Sequence, residues 1–383
     1  MKVLKKQLLI RTENSMCRAG EGSAVLLKDG TVLFAYSQIP EGGDTSFSTI
    51  QAGFLNPETG EMTGFHEILP NPRGLQQMSV SLERLADGSI GLAFIQRFAP
   101  QDDCIFFTRS FDEGKTWQTP INVTEEVNGK YRFVVCNNDR MRQFSSGRLA
   151  LPLNLYTDFE NHSDGCFTGG PHNDAGMLYS DDYGRSWRLS QTVSLKNENI
   201  LKPSRINWRW NYAWEHLIKM VDITQEPGVE ELPDGRIMLY VRTWLGCMYA
   251  AYSEDGGLHW GDFHAVPDLI APDGPESIRR IPGTGNLLCL YNDRSRLKYG
   301  DVAFRWRTPL TAAISADCGR SWRNIGNVED EEHNYCYTSI CFLPGNKVLL
   351  TDYQSVNVSP DRRANLRDLK MQLIQLDESD LEI

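Results

Sequence analysis

Four copies of one short pattern restrict what this chain can fold into more than any other feature of its sequence. They read Ser110-x-Asp112-x-Gly114-x-Thr116-Trp117, Ser180-x-Asp182-x-Gly184-x-Ser186-Trp187, Ser253-x-Asp255-x-Gly257-x-His259-Trp260 and Ser315-x-Asp317-x-Gly319-x-Ser321-Trp322. These residue types describe a tight hairpin turn. The Asp carboxylate accepts from nearby backbone amides, Gly takes a positive φ, and Trp closes over the turn as an apolar plug. A weaker fifth copy is read between Asn56 and Phe65. One copy alone would pass for an ordinary turn. Copies starting at 110, 180, 253 and 315 make a repeat, and 383 residues hold between five and six units of that length.

Between the copies lie six short alternating runs, each folded about a turn sequence. They cover residues 23–37 around Asp29-Gly30, 80–96 around Asp87-Gly88, 144–154 around Ser146-Gly147, 229–242 around Asp234-Gly235, 278–291 around Gly283 to Gly285, and 337–353 around Gly345-Asn346. Alternation with turn residues at the centre reads as a hairpin of half-buried strands. Six such hairpins interleaved with the repeated turns predict an all-β fold, a six-bladed β-propeller of four-stranded antiparallel blades. No linker or low-complexity segment interrupts the chain, so residues 1–383 are expected to form a single propeller domain. Residues 208–221 read as a short helix or an aromatic-rich loop.

The balance of 40% apolar and 23% charged residues is that of a globular protein, and the formal net charge of -11 excludes two classes of partner. Nucleic acid and anionic membranes bind through clustered Lys and Arg, and this chain would repel both at long range. An anionic ligand would need a local pocket of positive charge. The nine cysteines are odd in number and scattered, without a CxxC pair, and read as reduced thiols of a cytoplasmic protein. The apolar stretch near the N-terminus is shorter than a signal-peptide core or a membrane span. There is no HExxH, Walker loop or Gly-x-Ser-x-Gly elbow, and the seven histidines lack ligand spacing, so no metal or organic cofactor is expected. Chemistry must come from carboxylates, tyrosines and arginines in the loops at a propeller's central mouth.

The repeats, and several segments beyond them, resemble the sialidase superfamily and its Asp-box or BNR repeats, over nearly the whole chain. The segment from Gln225-Glu226-Pro227-Gly228-Val229 through Asp234-Gly235 to Arg242 resembles the family's Glu-Pro-x-x-Val-Glu-Leu-x-Asp-Gly...Arg motif. The resemblance makes Glu226 a catalytic carboxylate and Arg242 a ligand for the substrate carboxylate. Arg307, ahead of the last repeat, takes the place of a further carboxylate-binding arginine. The segment Tyr337-Thr338-Ser339-Ile340 to Pro344-Gly345 resembles the one that carries the family's nucleophilic Tyr, which places that role on Tyr337, with Tyr335 a close neighbour. Asp44, in the loop after the first hairpin, falls where the family keeps its acid/base aspartate. The family's first arginine belongs to an Arg-Ile-Pro motif, whereas this chain reads Cys17-Arg18-Ala19-Gly20-Glu21. An ungapped match puts Gly20 at that position, and a two-residue shift recruits Arg18. The arginine trio is therefore incomplete or rebuilt.

The chemistry requires such a set. A neutral tyrosine is a weak attacker, so a neighbouring carboxylate must take its proton. A second carboxylic acid must protonate the departing oxygen, and arginines must hold an anionic sugar through paired bonds. What the resemblance implies is an exo-acting glycoside hydrolase of sialidase type, releasing a terminal acidic sugar from a glycan or small saccharide. Two other readings stand beside it: a non-catalytic carbohydrate-binding propeller, and a hydrolase of the same fold acting on a different sugar. Each residue also has a plain structural reading. Glu226, Arg242 and Arg307 would then be strand residues paired with neighbouring charges, Tyr337 a core aromatic and Asp44 a turn residue. Two polar segments, Asn137 to Arg140 and Pro275 to Arg280, read either as contributors to the mouth or, more commonly, as solvated strand ends.

Overall fold

Each of the six alternating runs forms the first two strands of one antiparallel sheet, and the chain then adds two outer strands. A computed structural model describes the chain outside residues 13–16, 43–45, 72–73, 100–101, 126, 128–129, 132, 158, 162–166, 170–172, 200–223, 244, 298–305, 356–365 and 383, and outside the side chains of 159–161, 167–169 and 197. Asp44 and residues 208–221 therefore lie outside the described residues.

Blade 1 consists of Arg18–Leu26, Val32–Ile39, Thr49–Leu55 and Met62–Leu69, and blade 2 of Gln76–Arg84, Ile90–Ala99, Asp102–Ser110 and Ile121–Asn122. Blade 4 is Gln225–Glu231, Ile237–Arg242, Cys247–Ser253 and His264–Ile270, and blade 5 is Ser277–Arg280, Leu287–Asn292, Leu310–Ser315 and Arg323–Asn327. Blade 6 takes Tyr335–Leu343, Lys347–Ser355 and Leu366–Gln375, then completes itself with Lys2–Ile10 from the other end of the chain. That pairing runs from Lys2 opposite Gln375 to Ile10 opposite Leu369, so ladder hydrogen bonds close the ring.

Blade 3 departs from the pattern. Its inner position is split between Phe133–Val135 and Arg142–Gln143, both paired with Leu149–Tyr156, followed by Asn173–Ser180 and Arg188–Leu189. Val135 lies opposite Asn154 and Arg142 opposite Ala150, so the intervening chain is longer than its partner and must leave the sheet.

Strands sandwiched between blades have no solvent face, which is why Ile237–Arg242 and Leu287–Asn292 are buried at every position. Among the described residues the apolar core divides into seven clusters, six of them each drawn from two successive blades and the seventh, around Cys336, Tyr353 and Leu366, lying within blade 6. Ile95, Ile105 and Phe107 of blade 2 meet Leu151 and Leu153 of blade 3, and Leu288 and Leu290 of blade 5 meet Leu350 and Ile374 of blade 6. At about 1.5 to 3 kcal/mol for each fully buried aliphatic side chain, these interfaces hold the ring together.

The four repeated turns connect third to fourth strands in blades 2 to 5, and a turn built on Asn56 does so in blade 1. Blade 6 has none because its third and fourth strands come from opposite ends of the chain. Asp182 shows the common bonding: it accepts from Ser180 Oγ at 2.7 Å, from the backbone N of Ser186 at 2.9 Å and from Ser186 Oγ at 2.6 Å. Burial works against its charge, but these donors win and bring Asp182 down to about 2. The glycine serves two needs. Gly184 has φ +85°, and a Cβ there would lie 2.1 Å from the Phe107 ring of the preceding blade; Gly257 approaches Met177 in the same way. Each of these turns is thus a joint between blades as well as a hairpin.

Candidate functional site

First strands run away from one face of the propeller, second strands return to it, and third strands leave again. The repeated turns consequently lie on the far face, and the starts of the inner strands ring the mouth. Near those starts the ladder is broken: register shifts fall between Gly20 and Ser23, Met78 and Ser81, Gln225 and Gly228, and Cys336 and Ser339. At each break one non-glycine residue adopts a positive φ: Glu21 (52°), Ser79 (58°), Glu226 (48°) and Tyr337 (59°), with Asp139 (54°) in the split strand of blade 3. Such a bulge re-aims a side chain, and the left-handed conformation costs about 1 to 3 kcal/mol, which the surroundings must supply.

The bulges bring Tyr337 and Glu226 together. Tyr337 Oη donates to Glu226 Oε1 at 2.7 Å, so side chains from blades 6 and 4 meet across blade 5. Glu226 Oε2 accepts from Arg242 Nη1 at 2.5 Å, and Arg242 Nε donates to Asp273 Oδ1 at 2.6 Å. Arg307 Nε donates to the Asp273 carbonyl at 2.9 Å, Arg307 Nη1 reaches Cys336 Sγ at 3.4 Å, and its guanidinium sits 5.8 Å from the Tyr337 ring centre. Four of the six residues singled out in the sequence thus form one cluster, with Arg242 and Arg307 buried and Glu226 and Tyr337 partly buried.

Arg18 stands one ring away. Its Nε donates to Tyr353 Oη at 3.1 Å, and Tyr353 lies edge-on to Tyr337 with centroids 6.4 Å apart. Gly20 packs against that same Tyr353, where a Cβ would fall 2.2 Å from the ring. No side chain fits at Gly20, and Arg18 lies two residues earlier on the same side of the strand. Glu21 turns to blade 2, where its Oε2 accepts from Ser79 Oγ at 2.7 Å. Asp44 lies outside the described residues; the strands flanking its loop, Val32–Ile39 and Thr49–Leu55, end and begin at the mouth. Tyr335, the neighbour of Tyr337, is fully buried and donates to Asp330 Oδ1 at 3.0 Å, away from the cluster.

The electrostatics separate the two members of the pair. Burial raises the cost of ionising Glu226, but Arg242 and Arg307 outweigh it and hold the carboxyl below its ordinary range. Burial first, and Glu226 second, push the Tyr337 phenol well above its ordinary value. At neutral pH the cluster therefore contains a carboxylate and, hydrogen-bonded to it, a phenol that keeps its proton.

Sequence reasoning missed Asp273, Asn154 and Tyr353. Asp273 sits in Pro-Asp-Gly-Pro and reads as a turn. Asn154 Oδ1 accepts from the Glu226 backbone N, and nothing in the local pattern of Leu149–Tyr156 marks it. Of the two polar segments, Asn137 to Arg140 is not a solvated strand end, whereas Pro275 to Arg280 is buried through Ile278 and ends its strand on the exposed Arg280. Asn137, Asn138, Asp139 and Arg140 are each at most 4% exposed. They leave blade 3 and enter the axis: Asp139 N donates to Val80 O at 2.9 Å, Arg140 Nη1 to Tyr240 Oη at 2.7 Å and Arg140 Nη2 to the Glu276 carbonyl at 2.5 Å. Glu276 is buried under the cluster, and burial pushes its carboxyl up to about 8.

Six blades closed by both chain ends, with this cluster at the mouth, define a propeller of the sialidase superfamily. The chain belongs to the BNR repeat-like domain family, matched over residues 59–348. A sialidase of Bacteroides fragilis is 25% identical over 273 residues, which is 69% of this chain and 42% of that relative, so this chain spans less than half of its length. A solved protein of unknown function from Dyadobacter fermentans superposes with a TM-score of 0.71 at 18% identity, over 98% of this chain and 99% of that one. The intramolecular trans-sialidase of Ruminococcus gnavus superposes with a TM-score of 0.66 at 13% identity, over 94% and 95%. At these identities the solved structures establish the fold.

Proposed function

We propose that the protein is an exo-acting, retaining glycoside hydrolase that releases a terminal acidic sugar, sialic acid or a related one, from a glycan or small saccharide. The observation that carries this reading is the 2.7 Å bond from Tyr337 to a carboxylate, Glu226, that two arginines keep charged. Tyr337 Oη attacks the anomeric carbon as its proton passes to Glu226 Oε1, while Asp44 gives its proton to the departing glycosidic oxygen. A water deprotonated by Asp44 then displaces Tyr337, which recovers its proton from Glu226. Arg242 and Arg307, with Arg18 at the rim, hold the carboxylate of the sugar. The sialidase and trans-sialidase relatives favour this substrate class.

The test is turnover of aryl sialosides, other acidic aryl glycosides and neutral aryl glycosides by wild type, Arg242→Ala and Arg307→Ala. Each variant should lose at least about tenfold in kcat/KM on the acidic sugar, the cost of one charge-assisted bond. Efficient cleavage of a neutral sugar, indifferent to both arginines, would overturn the acidic-substrate reading. No turnover of any glycoside by wild type, with retained sugar binding, would favour a binding propeller.

A further inference from the structure

The bulge that aims Tyr337 is held by other blades. Tyr337 and Thr338 fall in the register break between Cys336 and Ser339, so the neighbouring strand Lys347–Ser355 does not pair with them. Three bonds from outside the blade fix this stretch. Asn138 Nδ2 donates to the Tyr337 carbonyl at 3.0 Å, Ser277 Oγ donates to the Thr338 carbonyl at 2.6 Å, and the Ile340 backbone N donates to Asp139 Oδ2 at 3.0 Å. The second hydrogen of the Asn138 amide goes to the Gly22 carbonyl of blade 1 at 2.7 Å. A primary amide has two donors in one plane, so Asn138 can tie two carbonyls from adjacent blades with one group.

We propose that Asn138 is a positioning residue for the Tyr337–Glu226 pair, holding the blade 6 bulge in the one conformation that points Tyr337 at Glu226. This inference rests on the catalytic reading of that pair. The physical reason is the strain at Tyr337. A bulky residue at φ +59° keeps that conformation only while its surroundings over-determine it. Without the amide, the stretch gains by relaxing toward regular pairing, and loss of a bulge turns the side chain away from its direction. Asn138 makes no bond to Glu226, Arg242 or Arg307, so its effect reaches the cluster through the Tyr337 backbone.

Two measurements test this apart from the catalytic reading. The first is NMR of protein carrying 13C at tyrosine Cζ, with the Tyr337 signal assigned by its loss in Tyr337→Phe. In wild type, burial and Glu226, opposed by Arg242 and Arg307, should keep this phenol un-ionised past the ordinary tyrosine range near pH ~10. Asn138→Ala should bring its titration midpoint down while the melting transition stays cooperative. The second is kinetics on whichever acidic aryl glycoside wild type cleaves. Asn138→Ala should lower kcat by about 10²-fold, the usual cost of a misplacement near 1 Å, with KM and the Kd of a non-reacting acidic sugar within about threefold. Ser277→Ala, which removes only the bond to Thr338, should show a smaller loss of the same kind and serves if Asn138→Ala does not fold. An unchanged Tyr337 titration and unchanged kcat in the folded variants would overturn the inference. A wild type inactive on every glycoside, whose Tyr337 signal still moves in Asn138→Ala, would overturn the catalytic reading and leave the positioning role standing.

Discussion

On the far face of the propeller, blades 2 to 5 repeat one solution: Asp112, Asp182, Asp255 and Asp317 each accept from a serine hydroxyl two residues earlier and from a backbone amide four residues later. At the mouth, the equivalent left-handed positions carry five residues of four types, Glu21, Ser79, Asp139, Glu226 and Tyr337. The backbone geometry is shared on both faces, and only the far face keeps the side chains. A turn needs the same donors and acceptor wherever it is built, so its residues recur. The bulge fixes only a direction, so each blade is free to place a different chemistry at the centre.

That contrast makes opposite demands on mutants. Tyr337→Phe, which removes one oxygen from a partly buried ring, should lower kcat by at least about 10³-fold while the melting temperature moves little. A variant that kept its activity would break the division of labour between the faces. Asp182→Ala should do the reverse and cost roughly 0.5 to 3 kcal/mol of stability, read by denaturant unfolding, with kcat of the folded fraction unchanged. Gly184→Ala, strained at φ +85° and pressed onto Phe107, should fall in the same stability class. Loss of turnover in Asp182→Ala at unchanged stability would remove the structural assignment of the far face.

The smallest expected effect sharpens the picture beneath the mouth. Glu276 is raised from 4.5 to about 8, so between those values the folded protein holds a proton that the unfolded chain has released. Stability should therefore fall as pH rises through that window. In Glu276→Gln, the melting temperature should decline less steeply between about pH 5 and 8 than in wild type. Asp352, raised to about 8 mainly by burial, keeps part of the slope in the variant. Parallel curves for the two proteins would show that Glu276 is ionised in its buried position.

Much of the fold was legible because its signals are local. The Asp, Gly and Trp of each repeat act within eight residues, and alternation about Asp-Gly or Gly-rich turns located all six inner hairpins. The lack of a sixth copy became intelligible only through closure, since the outer strands of blade 6 come from opposite ends of the chain. The candidate site was legible in part. Glu226, Arg242, Arg307 and Tyr337 stood in segments that resemble a family, and the structure brings them together. Asn137 to Arg140 misled because polar residues between apolar runs are usually solvated, and nothing local distinguishes a loop filling a propeller's axis from one at its edge. Asp273, Asn154 and Tyr353 were invisible for the same reason: each acts on a partner that the chain delivers from elsewhere.

By itself, then, the sequence determined the repeating unit, the number of blades and the chemical types available to the mouth, because hydrogen bonds within a turn and side-chain alternation along a strand depend on neighbours in the chain. Only the tertiary structure decided which of those groups meet. Tyr337 and Glu226 are 111 residues apart in sequence and 2.7 Å apart in space. The Tyr353 ring leaves no room for a side chain at Gly20, and its hydroxyl accepts a hydrogen bond from Arg18. Ring closure supplies the reason. Inner strands from six blades converge on one axis, so charged and polar residues far apart in the chain are brought into contact there and pair with one another.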